Sequence, residues 1–106
     1  NEKYHYFLLA DLRTKPYVLA NKDWKELFIE IDIIYVDFIK RLRSEHLGLT
    51  FDDIKYCCLF KLSFSMAEIA IMMNVQSSSV SRRKLRIKKH FRENENFNLD
   101  AYIHQF

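Results

Sequence analysis

Apolar side chains recur along this chain at the three-and-four spacing of helical faces. From Trp24 the row Trp24, Leu27, Phe28, Ile31, Ile34, Tyr35, Phe38 and Leu42 predicts one long helix over about residues 23–45. A second row, Ile29, Ile33, Val36 and Ile39, carries the stripe past one face. Such breadth implies burial on two sides, inside the domain or against another subunit. Before it, Tyr4 to Leu12 predicts a short helix centred on Phe7, Leu8 and Leu9, and Arg13 to Ala20, with the only proline, a connector. Asn21 or Asp23 is the expected cap of the long helix, and Gly48 is free to close its end in a left-handed conformation.

Local caps divide the second half. Thr50 and Asp53 form a Thr-x-x-Asp variant of the capping box, opening a helix that buries Ile54, Cys57, Cys58 and Leu62. Ser65 and Glu68 repeat the pattern before a short helix, Met66 to Met73, that buries Ile69, Ala70 and Met73. Asn74-Val75-Gln76 reads as a turn, and Ser77 or Ser78 as the cap of a helix reaching about residue 92. In that helix Val80, Ile87 and Phe91 face inward, with Lys84 covering the core by its aliphatic stem. Glu93 to Asn98 is loop-like, and Leu99 to Phe106 a last short helix. With one Gly and one Pro in 106 residues, the chain is expected to be all-α, a single domain able to bury its own core.

Charge changes the picture at one place. Seven of the 17 Lys and Arg lie in residues 77–92: Arg82, Arg83, Lys84, Arg86, Lys88, Lys89 and Arg92. That segment contains no Asp or Glu, so all 14 acids fall elsewhere and the net charge of +3 comes from one helix. A polyanion is the natural partner, and nucleic acid the commonest one; a solvated helix face is the competing reading. A short helix, a brief turn and a basic helix form the outline of a helix-turn-helix, whose second helix fits a major groove about 12 Å wide. Small Ala70 permits a close crossing, and Val75 and Val80 are expected to pin the turn into the core. Ser77, Ser78 and Ser79 combine hydroxyls with the free N–H groups of a helix start, a seat for phosphate.

Other chemistries find little support. Glu45-His46 and Asp52-Asp53, the nearest approach to an acid–base pair, fit helix ends better than a pocket, so no catalytic residue is assigned. The adjacent Cys57 and Cys58 sit in an apolar run and read as small hydrophobes, with no metal or cofactor site. Met66, Met72 and Met73 read as core. There is no secretory h-region and no apolar run of about 18 residues, so a cytoplasmic setting without membrane contact is expected. The basic helix, charged all round, makes a poor membrane-surface helix.

The residues also carry a resemblance. Leu49-Thr50-Phe51-Asp52-Asp53-Ile54, Glu68-Ile69-Ala70, Asn74-Val75, Ser79-Val80 and Arg86-Ile87-Lys88-Lys89 resemble the LuxR-type helix-turn-helix effector domain of bacterial regulators. Asp23-Trp24, Phe28, Phe38, Leu42, Cys57, Leu59, Leu62 and Arg82-x-Lys84-x-Arg86 are similar to the variant found in Bacteroidetes regulators. The likeness spans roughly residues 21–106. It departs from the pattern at Ser63-Phe64, where a Gly is usual, and at Ser81, where a Lys or Arg often follows the buried Val.

The resemblance implies a long N-terminal helix packed on a four-helix LuxR-like domain, with an N-terminal segment 1–47 and a DNA-binding domain 48–106. It implies transcription control through double-stranded DNA, with the basic helix in the major groove and the chain attached behind an upstream sensor. Carried over by position, Ser81, Arg82 and Leu85 face base edges, while Ser77, Ser78, Ser79, Arg86, Lys88 and Lys89 grip phosphates. A homodimer would set two such helices about one DNA turn apart. The alternative is a helical protein-interaction or dimerisation module with only non-specific nucleic-acid affinity.

Overall fold

Helices account for all the regular structure in the computed structural model, which describes residues 7–91 and 96–106. In order these are α1 (Phe7–Thr14), α2 (Asn21–Ile34), α3 (Phe38–Glu45), α4 (Phe51–Lys61), α5 (Met66–Met73), α6 (Ser77–Phe91) and α7 (Leu99–Gln105). Residues 4–6 of the first expected helix, Arg92 of the basic segment and residues 93–95 of the following loop lie outside the described residues. One hydrophobic core joins both halves of the chain, from Leu8 and Leu12 through Leu27, Phe38 and Leu59 to Ile87 and Ile103.

The expected long helix is two. α2 ends at Ile34, and Asp37 takes a left-handed conformation (φ 57°), which a short polar side chain tolerates. Apolar spacing runs through the break without interruption; the backbone is redirected by polar contacts instead. The Asp32 carboxylate accepts from the Ile39 N–H at 2.8 Å, fixing the start of α3 against the end of α2. The Arg41 guanidinium donates to the carbonyls of Tyr35 and Val36, which α2 leaves without helical partners, and to the backbone oxygen of Phe106 at 2.6 Å. The widened stripe is buried on one side: Leu27, Ile31, Phe38 and Leu42 are fully enclosed, whereas Ile29 and Val36 are 56% and 71% exposed.

The paired caps form as expected. Thr50 Oγ1 accepts from the Asp53 N–H and Asp53 Oδ2 from the Thr50 N–H, both at 3.1 Å. Ser65 and Glu68 exchange the same bonds at 3.1 and 2.8 Å. Ahead of α2 the cap position falls to Ala20, not Asn21, and Asp23 reaches back to its N–H. Gln76 precedes α6 with its carbonyl accepting from the Val80 N–H, so Ser77 and Ser78 are first-turn residues rather than caps. Gly48 has no positive φ. Its lack of a side chain matters for space, because a Cβ there would collide with the His90 ring.

Residues that sequence reading passed over tie the elements together. Glu30, fully buried on α2, accepts from the N–H groups of Leu8 and Leu9 in the first turn of α1. Arg13 donates to the Leu62 carbonyl at the end of α4 and stacks on Phe64. The Leu19 N–H binds the Met72 carbonyl, joining the connector to α5. Lys61 donates to the carbonyls of Ile103 and His104 at the end of α7 while lying against the Tyr35 and Phe38 rings. Burial and the neighbouring Arg41 charge lower its pKa. Cys57 and Cys58 are free thiols with no exposure, and burial pushes Cys57 up to about 12.

Candidate nucleic-acid interface

The short helix α5 runs from Met66 to Met73, as its spacing predicts, and its end sets the direction of the basic helix. Asn74 adopts φ 57°, and the Val75 N–H folds back to the Ala70 carbonyl at 3.0 Å. That left-handed closure turns the chain within three residues. α5 and α6 then pack against each other, with Ile69, Ala70 and Met72 buried on α5 and Val80 fully buried on α6. Val80 pins the helix start as expected. Val75 does not pin the turn: it is 39% exposed, beside Ile71 and Val18 on an outer surface. At the other end of α5, Ser63 takes φ 64°, the left-handed conformation for which a glycine is usual.

α6 divides into two faces. Val80 and Ile87 are enclosed, Phe91 is half-buried, and Lys84 lies along α7, with its ammonium 2.8 Å from Asp100 and over the Phe60 ring. Ser81, Arg82, Leu85, Arg86 and Lys89 are all exposed, the outward row that helical period predicts. Ser77 and Ser78 are exposed at the start of the helix, Ser79 is half-buried, and Lys88 is half-buried on the flank.

The three residues expected at base edges are all exposed on α6 and line two different clefts. Ser81 and Leu85 line a groove of about 460 Å³ between α6 and the start of α7, with Met66, Lys88, Phe97 and Asp100. Arg82 lies on the other flank, in a cleft of about 270 Å³ formed with Ser79, Arg83 and Arg86. There the Arg82 guanidinium donates to Ser79 Oγ at 3.2 Å.

Arg83 is the residue that sequence reading missed. Its guanidinium stacks on Tyr56 and donates to Asp53 Oδ1 at 3.1 Å, and Arg86 donates to the same oxygen at 2.9 Å. The Asp53 side chain is buried, and α4 thereby grips α6 through one carboxylate. Burial alone would raise the Asp53 pKa. Hydrogen bonds from the Thr50 N–H, Arg86, Arg83 and the Thr50 hydroxyl outweigh it and hold the carboxyl below its ordinary value. Val80-x-x-Arg83-x-x-x-Ile87 places Arg83 at the edge of the buried stripe, and that spacing was the available signal.

The far end of α6 closes on aromatic rings. His46, at the end of α3, packs on Phe91 with ring centroids 4.4 Å apart and shares a 2.8 Å hydrogen bond with the Tyr102 hydroxyl. Burial, then the neighbouring His90, lowers its pKa, against a smaller raising effect of Glu45. No described helix is long and apolar enough to cross a membrane. Comparison of the chain with protein-family models, with curated proteins and with solved structures finds no match.

Proposed function

We propose that this chain binds duplex DNA through α6 and serves as the sequence-reading effector domain of a bacterial transcriptional regulator, in the manner of LuxR-type domains. The observation that carries this reading is the outward face of α6. A single helix presents Arg82, Arg86 and Lys89 to solvent while Val80 and Ile87 seat it rigidly on α5 and the core. A rigid, cationic, solvent-facing helix set by a tight turn fits the width of a major groove. Arg82 takes the part of base reader, since a guanidinium matches guanine O6 and N7 in a bidentate pair. Ser81 and Leu85 face the same groove from the opposite flank, Leu85 suited to a thymine methyl. Ser77, Ser78, Ser79, Arg86, Lys88 and Lys89 hold the backbone. The exposed Ile29 and Ile33 on α2, with Val36 just beyond its end, are the surface we assign to a homodimer on DNA.

The deciding experiment titrates the protein against a promoter fragment from its own genome and a random duplex of equal length, at several salt concentrations. Salt-sensitive binding to both, tighter for the promoter fragment, is expected. Vanishing affinity for both at low salt overturns the reading.

A further inference from the structure

Three guanidiniums and one hydroxyl converge in the cleft of Ser79, Arg82, Arg83 and Arg86, and one carboxylate, Asp53, answers them. The cleft therefore carries an excess of two positive charges in a concave space of about 270 Å³, larger than one phosphate group requires.

The three arginines differ in freedom. Arg83 is fixed: its side chain is 25% exposed, stacked on Tyr56 and bonded to Asp53. Arg86 shares the same Asp53 oxygen, but 60% of its side chain is exposed, so it can leave without uncovering the core. Arg82 holds only a neutral partner here, the Ser79 hydroxyl, and no carboxylate of the described residues lies within ion-pair distance of it. If Arg86 departs, Asp53 keeps Arg83 on Oδ1 and the Thr50 N–H on Oδ2, so no buried charge is orphaned.

We propose that this cleft seats one backbone phosphate of duplex DNA, and that Asp53 occupies Arg86 until the phosphate takes it over. The inference rests on the DNA-binding reading above and adds the exchange between two oxyanions, with Asp53 as a positioning residue that weakens non-specific binding. Arg83 stays bound to Asp53 and forms the fixed wall of the seat, while Arg86 is the arm that moves. Both states satisfy the guanidinium with charge-assisted bonds, so the exchange is between partners of similar strength.

The test is a double-mutant cycle on a random duplex, read as affinity against salt. Arg86→Gln, at an exposed position, should lower the magnitude of the salt slope by about 0.9, the loss of one phosphate contact. Asp53→Asn retains an oxygen for the Thr50 N–H and frees Arg86; it should tighten binding severalfold. In the Arg86→Gln background the same change should add no more than Asp52→Asn does, since the exposed Asp52 alters charge equally without touching α6. Circular dichroism melts confirm that each variant folds.

Asp53→Asn tightening the Arg86→Gln protein as much as the parent overturns the exchange, as does an unchanged slope in Arg86→Gln; in either case the DNA reading survives. Failure of the parent protein to bind duplex overturns both. A final arm adds inorganic phosphate at fixed ionic strength, following the Arg86 side-chain resonance. A shift saturating with duplex but not with millimolar phosphate supports a backbone phosphate, and the reverse overturns it.

Discussion

Glu30 has no solvent exposure and its carboxylate serves the first turn of α1, which makes it the most demanding polar residue in the fold. Oε1 accepts from the Leu9 N–H at 3.0 Å and Oε2 from the Leu8 N–H at 3.3 Å. Hydrogen bonds to a charged acceptor contribute about 1.5–3 kcal/mol each, and part of that is offset by the cost of keeping the carboxylate out of water. Glu30→Ala removes both acceptors and leaves a void, so the expected loss is about 2–4 kcal/mol. Glu30→Gln keeps one oxygen in place and should lose about 1–2 kcal/mol, the amide nitrogen facing an N–H it cannot accept from. Against a total stability on the order of 5–15 kcal/mol, both are readily measured. Urea unfolding followed by the fluorescence of the buried Trp24 gives the global loss, and amide exchange at Leu8 and Leu9 gives the local one. Alanine and glutamine variants both within about 0.5 kcal/mol of the parent, with unchanged exchange at the two amides, would refute the reasoning.

Other perturbations address the site and its supports. Arg82→Ala should cost about 1–3 kcal/mol on the preferred sequence and relax base choice, whereas Lys89→Ala should weaken all duplexes alike and reduce the salt slope by about one unit; equal losses on specific and random duplex would remove Arg82 from base reading. Ile33→Asp, on a residue already 36% exposed, should leave the melting curve intact and abolish a concentration-dependent dimer in sedimentation; a parent protein monomeric with and without DNA argues against that interface. Because the folded state disfavours the charged His46 ring, its contribution to stability is complete above about pH 6.5 and is lost as pH falls through that value toward the lower folded pKa. Unfolding measured from pH 8 to 5 should show this decline, and His46→Phe should flatten it. Cys57 and Cys58 should resist alkylation until the protein unfolds, so labelling rates should track denaturant.

What could be read from the chain was local. The Thr50–Asp53 and Ser65–Glu68 caps, the extent of α5 and the outward row of α6 follow from spacings of three and four residues, and the folded chain keeps them. The break at residues 35–37 leaves no such mark, because Ile34, Tyr35, Phe38 and Leu42 continue the apolar rhythm across it. It is set by Asp32 and by an arginine whose third acceptor, Phe106, is 65 residues distant. The Asp53–Arg83 pair spans 30 residues, and Glu30 meets α1 across 22 and 21; charge counting along the chain cannot reveal which acid meets which base. Val75 misled for a related reason: an apolar residue in a tight turn carries no periodicity to tell inward from outward.

The grip of Lys61 and Arg41 on the last helix has a consequence for the order of synthesis. Lys61 finds its carbonyl acceptors at residues 103 and 104, and Arg41 adds Phe106 to the ones it has at Tyr35 and Val36. A ribosome that has released α1 to α6 has made nearly every apolar layer of the core, yet the Lys61 ammonium then lies against aromatic rings without its two carbonyl acceptors. The Lys61 charge must wait for α7 before it is answered, so chains truncated ahead of α7 should be substrates for chaperones or proteases instead of slightly weakened folded proteins.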